Sequence, residues 1–307
     1  MCAVATVLIT GASGVLGRAV CDAYEARGDD VHRAFRSAEP GEHSHRLDVT
    51  DERGVSALVD RIVPDVVVHL AAESVVAHAA EHAAETHAVN VGGTHHVIAA
   101  LRGTGALLLV ASSERAYALG ASAPLRETDP LATSGAYAES KAQADSVARE
   151  SGLAAVSVRA SNVYGPGDLR ASRLVPSILT SVVDGVPLRM RTDGQPKRDF
   201  VYSADVAAAY VALTDALSVD RARLAGRAFN VGTGEGVAVH ELARRAAAIA
   251  GTELVIERVP PAPDDVSEDR VLDCSQIRAE TGWLPATSLD EGLAQTIAWA
   301  RAALTAA

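Results

Sequence analysis

The chain has 307 residues, and its 48% hydrophobic content can bury one large α/β core or a main domain with a smaller lobe. The formal net charge of -11, with no run of Lys or Arg, argues against a nucleic-acid surface. No segment resembles a membrane span or a signal peptide. Because Cys2, Cys21 and Cys274 are odd in number and widely spaced, we expect free thiols in a cytoplasmic protein.

Short apolar runs alternate with helical segments through the first half of the chain. Strands are predicted at 6–9, 30–36, 65–70, 106–111 and 155–159, and helices at 17–27, 55–62, 87–102 and 137–150. Such alternation predicts a Rossmann-type, doubly wound parallel sheet whose ligands lie at the carboxyl ends of the strands. Beyond residue 165, segments punctuated by Pro and Gly predict a smaller C-terminal substrate-binding lobe that ends in an amphipathic helix at 289–304.

A glycine-rich turn, Gly11-Ala12-Ser13-Gly14-Val15-Leu16-Gly17, joins the first predicted strand to the first predicted helix. In this context the backbone amides and the helix N-terminus can bind a pyrophosphate, so the turn predicts a dinucleotide site. The second strand ends in Arg36 and Ser37, without the acid that NAD enzymes place there. NADP is therefore favoured over NAD, although Arg36 could be a plain surface charge. Asp48 is placed to accept from an adenine amino group, or it caps a helix that begins near Asp51.

Tyr137 and Lys141 lie one helical turn apart, downstream of Ser112 and Ser113. On one helix face, the ammonium can lower the pKa of the phenol, which then acts as a base, while the Ser113 hydroxyl holds the reacting oxygen. Lys141 and Lys197 are the only lysines in the sequence, which indicates that Lys141 is chemically required. The alternative is a chance spacing on a solvated helix. The set predicts hydride transfer at an alcohol.

The chain resembles the extended short-chain dehydrogenases/reductases that modify nucleotide sugars, the NAD(P)-dependent epimerase/dehydratase group. Besides the glycine turn, Asp48, Ser113, Tyr137 and Lys141, the resemblance rests on His69-Leu70-Ala71-Ala72, Asn90-Val91-Gly92-Gly93-Thr94, Asn162-Val163-Tyr164-Gly165-Pro166-Gly167, Arg198-Asp199-Phe200-Val201-Tyr202 with Asp205, Phe229-Asn230-Val231-Gly232 and Gly282-Trp283-Leu284-Pro285. It covers nearly the whole length of the chain.

The resemblance implies which residues contact cofactor and substrate. Further cofactor contacts are expected at Val49, Leu70, Ala71, Ala72 and Asn90, and also at Tyr137 and at Lys141, which holds the ribose. Substrate contacts are expected at Asn162 and Arg198 for the nucleoside diphosphate and at Leu174, Val175 and Arg189 around the base. Arg198 could instead be a structural partner of Asp199 or Asp205. Glu73 follows a strand and either touches the sugar or caps the next segment.

Two departures from the family pattern bear on the reaction. The family's second phosphate arginine is missing from Ala262-Pro263-Asp264-Asp265, which leaves Arg258 or Arg270 as substitutes. Sugar 4,6-dehydratases follow the serine or threonine with Asp-Glu or Asp-Lys, whereas this chain has Ser113-Glu114-Arg115. Glu114 could act as an acid or base, but an arginine stays protonated and makes a poor base.

The resulting expectation is a nucleotide-sugar epimerase that works through a transient 4-keto sugar. The alternative is an NADPH-dependent reductase of a nucleotide 4-keto sugar, and a 4,6-dehydratase ranks third. A dinucleotide-sensing protein without enzymatic activity is the alternative from another functional class.

We expect a dinucleotide-binding domain at 1–163 plus about 198–232, and a nucleotide-sugar lobe at about 164–197 plus 233–307. The resemblance implies a homodimer formed through the helices at 87–102 and 137–149. His78, His82, His95 and His96 lack a completed ligand set, so no metal is expected.

Overall fold

The computed structural model describes residues 4–168, 172–260 and 268–305. The strands in these ranges are β1 (Thr6–Thr10), β2 (Asp30–Phe35), β3 (Ser44–Arg46), β4 (Val66–His69), β5 (Leu107–Ser113), β6 (Ala155–Ala160), β7 (Asn162–Tyr164), β8 (Leu188–Met190), β9 (Lys197–Tyr202), β10 (Ala228–Val231), β11 (Gly236–Ala238) and β12 (Ile256–Arg258). The α-helices are α1 (Val15–Arg27), α2 (Glu52–Ile62), α3 (Val76–Glu81), α4 (Ala83–His87), α5 (Gly93–Leu101), α6 (Ala136–Arg149), α7 (Leu174–Asp184), α8 (Ser203–Val219), α9 (Arg221–Leu224), α10 (Val239–Ala250), α11 (Ser275–Thr281) and α12 (Leu289–Thr305).

A seven-stranded sheet forms the centre of the molecule, in the order β10-β6-β5-β4-β1-β2-β3. Every neighbouring pair in it is parallel. The chain runs outward from β1 through β2 to β3, then returns to place β4 on the other side of β1. Ligands of doubly wound sheets bind at the carboxyl edge beside such a reversal. The prediction of a Rossmann-type parallel sheet is confirmed.

Helices cover both faces of this sheet. On one face, α1 and α8 pack around Val20, Tyr24 and Tyr210; on the other, α2 and α5 pack around Leu58 and Ile98. Strands covered on both faces read as continuous apolar runs, which explains why all four residues of β4 and all six of β6 are buried. The apolar runs of the sequence therefore mark the central strands.

The C-terminal part of the described chain builds a second, smaller core. The strands β11, β9 and β7 form one small sheet, and β12 pairs with β8. Ile178 of α7, Phe200 of β9, Leu242 of α10 and Leu293 of α12 meet in one cluster. This lobe lies C-terminal to β6, where the sequence predicts a change in pattern.

None of the helices in the described ranges combines the length and the hydropathy needed to cross a bilayer.

Candidate active site

The glycine turn between β1 and α1 is shaped by backbone crowding. Gly11 has φ of 71°, and a Cβ there would lie 2.6 Å from the Ala71 amide nitrogen. A Cβ on Gly17 would overlap the Gly11 carbonyl oxygen, whereas one on Gly14 would have its closest neighbour 3.5 Å away. Gly14 is the N-cap of α1, and no side chain caps that helix. A helix N-terminus that a ligand can approach closely suits a pyrophosphate, so these residues fit a dinucleotide.

The ends of β2 and β3 supply the polar residues predicted for the adenosine half. Arg36 and Ser37 follow β2 and are exposed. Asp48 is exposed as well, and its carboxylate accepts hydrogen bonds from the Thr50 amide (2.9 Å) and hydroxyl (2.8 Å). These two bonds, and then the Arg36 cation, lower the pKa of Asp48. The N-cap residue of α2 is Asp51, so the alternative in which Asp48 caps this helix is wrong.

The segment after β4 is held against the glycine turn. Thr10 binds His69 through an Oγ1 to Nδ1 contact of 2.8 Å and also accepts from the Ala71 amide at 3.3 Å. The Leu70 amide donates to the Thr10 carbonyl at 3.1 Å. Leu70, Ala71 and the following Ala72 therefore border the turn. Val49 is buried beyond β3, and its carbonyl accepts from His96 at 2.8 Å.

Asn90 does not face an open cleft. It lies in a single π-helical turn between α4 and α5 and is 2% exposed. Its Oδ1 accepts from the Glu73 amide (2.8 Å), while its Nδ2 donates to the Glu73 carbonyl (3.1 Å) and to Ser140 Oγ (2.9 Å). Its hydrogen bonds tie the segment after β4 to α6, and the predicted cofactor contact stays a prediction. The Glu73 carboxylate accepts from the Val75 amide at 2.8 Å, but Val75 is the N-cap residue of α3 and no side chain caps that helix, so Glu73 is not its cap.

Ser113, Tyr137 and Lys141 meet at the carboxyl end of β5. Ser113 ends the strand, and its Oγ accepts from the Arg115 amide at 3.1 Å. Tyr137 lies near enough to Ser113 for that hydroxyl to lower the pKa of the phenol. The Lys141 ammonium donates to the Ala111 carbonyl at 2.7 Å, and its burial lowers its pKa to about 8. Ser113, Tyr137 and Lys141 therefore lie together near the carboxyl end of β5.

The electrostatics of Tyr137 differ from the sequence-based prediction. Burial raises the pKa of Tyr137 above its ordinary value, and the Ser113 hydroxyl and the nearby Arg173 and Arg115 cations counteract this. The groups that lower the pKa of Tyr137 most are Ser113, Arg173 and Arg115, whereas the sequence predicted Lys141 for this role. The Lys141 charge acts on His69 instead, whose pKa burial and that charge lower to about 3. His69 is a site residue whose role the sequence did not indicate.

Glu114 is a buried carboxylate directly beside this group. It begins a single 3₁₀ turn after β5 and is 4% exposed. Arg115 Nε lies 3.5 Å from one carboxylate oxygen and Arg270 Nε 3.9 Å from the other. Burial raises the pKa of Glu114, while Arg115, Arg270 and Arg198 lower it. The site therefore contains an acid surrounded by arginines.

Arg270 does not have the role of a phosphate-binding arginine that the sequence left open. It is 2% exposed, and its guanidinium donates to the carbonyls of Glu114 (3.1 Å) and Tyr117 (3.2 Å). These bonds lock the segment after β5 in place. Arg258 of β12 is exposed and donates to the carbonyls of Thr192 and Asp193. Residues 261–267, where the expected arginine is missing, lie outside the described residues.

The remaining residues predicted to bind substrate lie in the small sheets and in α7. Asn162 donates to the Asp199 carbonyl at 3.1 Å, and Arg198 is 8% exposed and donates to the Glu268 carbonyl at 2.6 Å. Arg198 lies near enough to Glu114 to lower the pKa of that carboxyl. Leu174 and Val175 open α7, directly after Arg173, which donates to Asp168 at 2.6 Å. Arg189 of β8 is exposed beside Glu257. The Arg173 charge lowers the pKa of Tyr137. The sequence pointed to Arg173 only through its position next to the predicted substrate contact Leu174.

Comparison with known proteins decides the family. Residues 7–232 match the model of the NAD dependent epimerase/dehydratase family. The chain belongs to this family. It is thus an extended short-chain dehydrogenase/reductase, with the glycine turn and the Ser113, Tyr137 and Lys141 group inside the matched region.

Similar proteins have different activities. The chain is 28% identical to dTDP-glucose 4,6-dehydratase of Haemophilus influenzae, over 95% of this chain and 97% of that protein. It is also 28% identical to dTDP-4-dehydro-6-deoxy-D-allose reductase of Streptomyces bikiniensis, over 96% of each. The solved UDP-glucose 4-epimerase of Thermus thermophilus in complex with NAD is 30% identical, with a TM-score of 0.84 over 97% of this chain and 99% of that one. The family is shared, while these relatives differ in reaction.

Proposed function

We propose that this family member is a nucleotide-sugar epimerase that inverts a sugar carbon through a transient 4-keto sugar. The observation that carries the proposal is the placement of Ser113, Tyr137 and Lys141 near one another at the carboxyl end of β5. This group lies on the edge of the sheet to which the glycine turn and α1 also belong. That group can move a proton to and from an alcohol, which both halves of an epimerisation need.

Tyr137 removes the proton of the C4 hydroxyl and later returns it to the ketone oxygen. Ser113 accepts from the Arg115 amide, so its own hydroxyl hydrogen remains to bond the reacting oxygen or Tyr137. When bound, a nicotinamide dinucleotide would supply the hydride acceptor and donor that both halves of this reaction need. Below its pKa of about 8, Lys141 is a cation at the base of the site, where it suits a ribose hydroxyl.

The charges beside Ser113 argue against a 4,6-dehydratase. Elimination needs a base for the proton at sugar C5, and a guanidinium does not release its proton at working pH. Arg115 stands where that base is expected and lies 3.5 Å from Glu114. Glu114 itself can donate a proton, since burial raises its pKa. The dTDP-glucose 4,6-dehydratase of H. influenzae is therefore a relative whose reaction we do not assign to this chain.

A reductase of a nucleotide 4-keto sugar is the second candidate. Burial raises the pKa of Tyr137, which keeps the phenol protonated at neutral pH and suits a proton donor. The S. bikiniensis relative is a reductase by name. In this reaction Tyr137 gives its proton to the oxygen of the ketone, and the same residues serve.

We propose NADP as the cofactor, although the T. thermophilus structure contains NAD. The exposed Arg36 follows β2 with no acid beside it to bind a ribose diol. Affinities of the wild-type protein and Arg36→Gln for NADP+ and NAD+ test this choice. The proposal expects a loss for NADP+ alone, and an equal loss for both contradicts it.

The remaining assignments follow the sequence-based expectations. We propose a dinucleotide-binding domain at 1–163 plus about 198–232 and a nucleotide-sugar lobe at about 164–197 plus 233–307. We also propose a cytoplasmic homodimer. A groove of ≈ 570 Å³ between the helices α4, α5 and α6, lined by Val91, Leu131, Ala142 and Val147, supports a face on which a second copy packs.

Nicotinamide accounting tests the proposed function. The purified protein is incubated with UDP- and dTDP-sugars, the products are followed by NMR, and the absorbance of reduced nicotinamide is recorded. The epimerase isomerises a sugar with no net absorbance change. Stoichiometric consumption of free NADPH with a 4-keto sugar transfers the assignment to the reductase. Cofactor binding with no turnover of any sugar supports a dinucleotide sensor.

A further inference from the structure

A cluster of imidazole and carboxylate groups lies outside the site described above. Asp30 and His32 are two residues apart on β2, so their side chains point to the same face, and His43 precedes β3. His32 Nε2 lies 3.4 Å from one Asp30 oxygen, and His43 Nδ1 lies 3.1 Å from the other. One ligand atom from each of the three residues lies within 4.8 Å of the others. The cluster starts at the amino end of β2, whereas Arg36 follows its carboxyl end.

These three side chains have the geometry of a partly formed zinc site. Zn²⁺ takes imidazole nitrogen and carboxylate oxygen at about 2.0–2.2 Å in tetrahedral geometry, which separates neighbouring ligand atoms by about 3.3 Å. The His32 and His43 nitrogens lie 3.4 and 3.1 Å from the two oxygens of Asp30, one on each, so both imidazoles approach the same carboxylate. The side chains of His43 and Asp30 are 47% and 41% exposed, so solvent can reach a fourth position. We propose that Asp30, His32 and His43 bind a divalent cation of the Zn²⁺ class.

A neighbouring histidine sets the proton position on His32. His45 Nε2 lies 2.8 Å from His32 Nδ1, and His45 Nδ1 lies 3.1 Å from an Arg61 guanidinium nitrogen. Arginine can only donate, so His45 accepts through Nδ1 and donates its single proton from Nε2 to His32. Without a cation, His32 therefore carries its proton on Nε2, facing Asp30.

Cation binding reverses this arrangement. A ligand nitrogen needs its lone pair, so the His32 proton moves to Nδ1 and is donated to His45 Nε2. His45 then carries its own proton on Nδ1, which faces the Arg61 guanidinium as donor to donor. The exposed Arg61 side chain must turn away, and no net proton is released. Arg61 therefore opposes the cation, which is an effect that a chance surface cluster would not show.

Zinc titration of the full-length protein tests the site. Calorimetry with ZnCl₂ compares the wild type with His43→Ala, Asp30→Asn and Arg61→Met, and His95→Ala is the control because His95 is an exposed histidine on α5. Loss of supporting groups alone costs 10–100-fold in metal affinity, so removal of a ligand should weaken binding at least about tenfold. Arg61→Met should bind Zn²⁺ more tightly, and His95→Ala should match the wild type.

Three results would overturn the proposal. They are equal zinc affinity of the wild type and His43→Ala, a loss in His95→Ala as large as in His43→Ala, or Arg61→Met binding no more tightly than the wild type. Circular dichroism establishes that each variant is folded. If a variant does not fold, histidine ¹⁵N NMR of the wild type decides, because zinc must shift the His32 proton from Nε2 to Nδ1. An unchanged His32 tautomer contradicts the site.

Discussion

The three glycines of the turn and the first turn of α1 are required for different reasons, and single alanine substitutions separate folding from cofactor binding. Gly14 has φ of -71°, which any residue adopts, and an added Cβ would make only an ordinary contact with the Gly11 carbonyl at 3.5 Å. An added Cβ on Gly17 would overlap that carbonyl oxygen and lie 2.8 Å from two Ala12 backbone atoms. Gly14→Ala therefore fits the protein, whereas Gly17→Ala does not.

The expected free-energy changes differ accordingly. Overpacking typically costs about 1–3 kcal/mol, and the upper end applies to Gly17→Ala because the crowded atoms are backbone. Alanine in a helix returns up to about 1 kcal/mol, which leaves a net loss of about 2 kcal/mol. For Gly14→Ala, a weaker N-cap costs about 1 kcal/mol at most, and the reduced freedom of the unfolded chain offsets about 0.4–1 kcal/mol. Its unfolding free energy should stay within about 0.5 kcal/mol of the wild type.

Gly14→Ala should weaken cofactor binding although it leaves the unfolding free energy nearly unchanged. A methyl group on Gly14 stands where the pyrophosphate approaches the N-terminus of α1, so we expect at least about tenfold weaker dinucleotide binding, or about 1.4 kcal/mol. Urea denaturation of the cofactor-free variants and calorimetric titration with NADP+ measure the two quantities separately. Equal destabilisation by Gly14→Ala and Gly17→Ala, or wild-type NADP+ affinity in Gly14→Ala, would refute this reasoning.

Three further substitutions test the structure around the site. Asp145→Asn should cost about 3–5 kcal/mol in urea denaturation because it leaves the Arg159 charge buried; the two side chains are 0% and 1% exposed, and an unchanged unfolding midpoint contradicts this. Asn90→Ala should cost about 2 kcal/mol because the Glu73 amide loses its acceptor, and hydrogen exchange at that amide should rise. Lys141→Met should inactivate the protein yet raise its unfolding free energy at pH 7. The pKa of Lys141 in the folded protein is about 8, below the ordinary 10.5, so burying its charge costs about 3 kcal/mol. Lys141→Met removes this cost but also loses the hydrogen bond to Ala111, which leaves a net gain of about 2 kcal/mol. Wild-type stability should therefore rise relative to Lys141→Met as the pH increases from 8 towards 10, and parallel pH profiles would contradict the buried charge.

The sequence predicts those parts of the molecule in which local patterns determine the structure. The apolar runs that become β1, β4, β5 and β6 are recognisable because a parallel sheet buries both faces of its strands. The glycine turn and the pair of Tyr137 and Lys141 are equally local, since each depends on spacing within one or two helical turns. Fold and family follow from these patterns.

The contacts that the sequence could not predict join distant segments. Arg270 reaches Glu114 across 156 positions of the chain, and Asn230 donates to the Leu125 carbonyl across 105. The cluster of Asp30, His32 and His43 requires β3 to lie beside β2, which the sequence did not reveal because β3 has only three residues. The raised pKa of Tyr137 depends on its burial, which helical spacing alone does not determine.

The most direct test of the central claim is the turnover of Tyr137→Phe with a nucleotide sugar, beside its affinity for the dinucleotide. Removal of a positioned proton-transfer group should lower kcat by about 10²–10⁴-fold, while NADP+ affinity changes by less than about threefold. Tyr164→Phe is the matched control, since it also removes one hydroxyl, from a tyrosine that donates to the Leu289 carbonyl in the small lobe. It should retain turnover. If Tyr137→Phe converts the sugar as fast as the wild type, Tyr137 is not the proton-transfer group and the account is wrong.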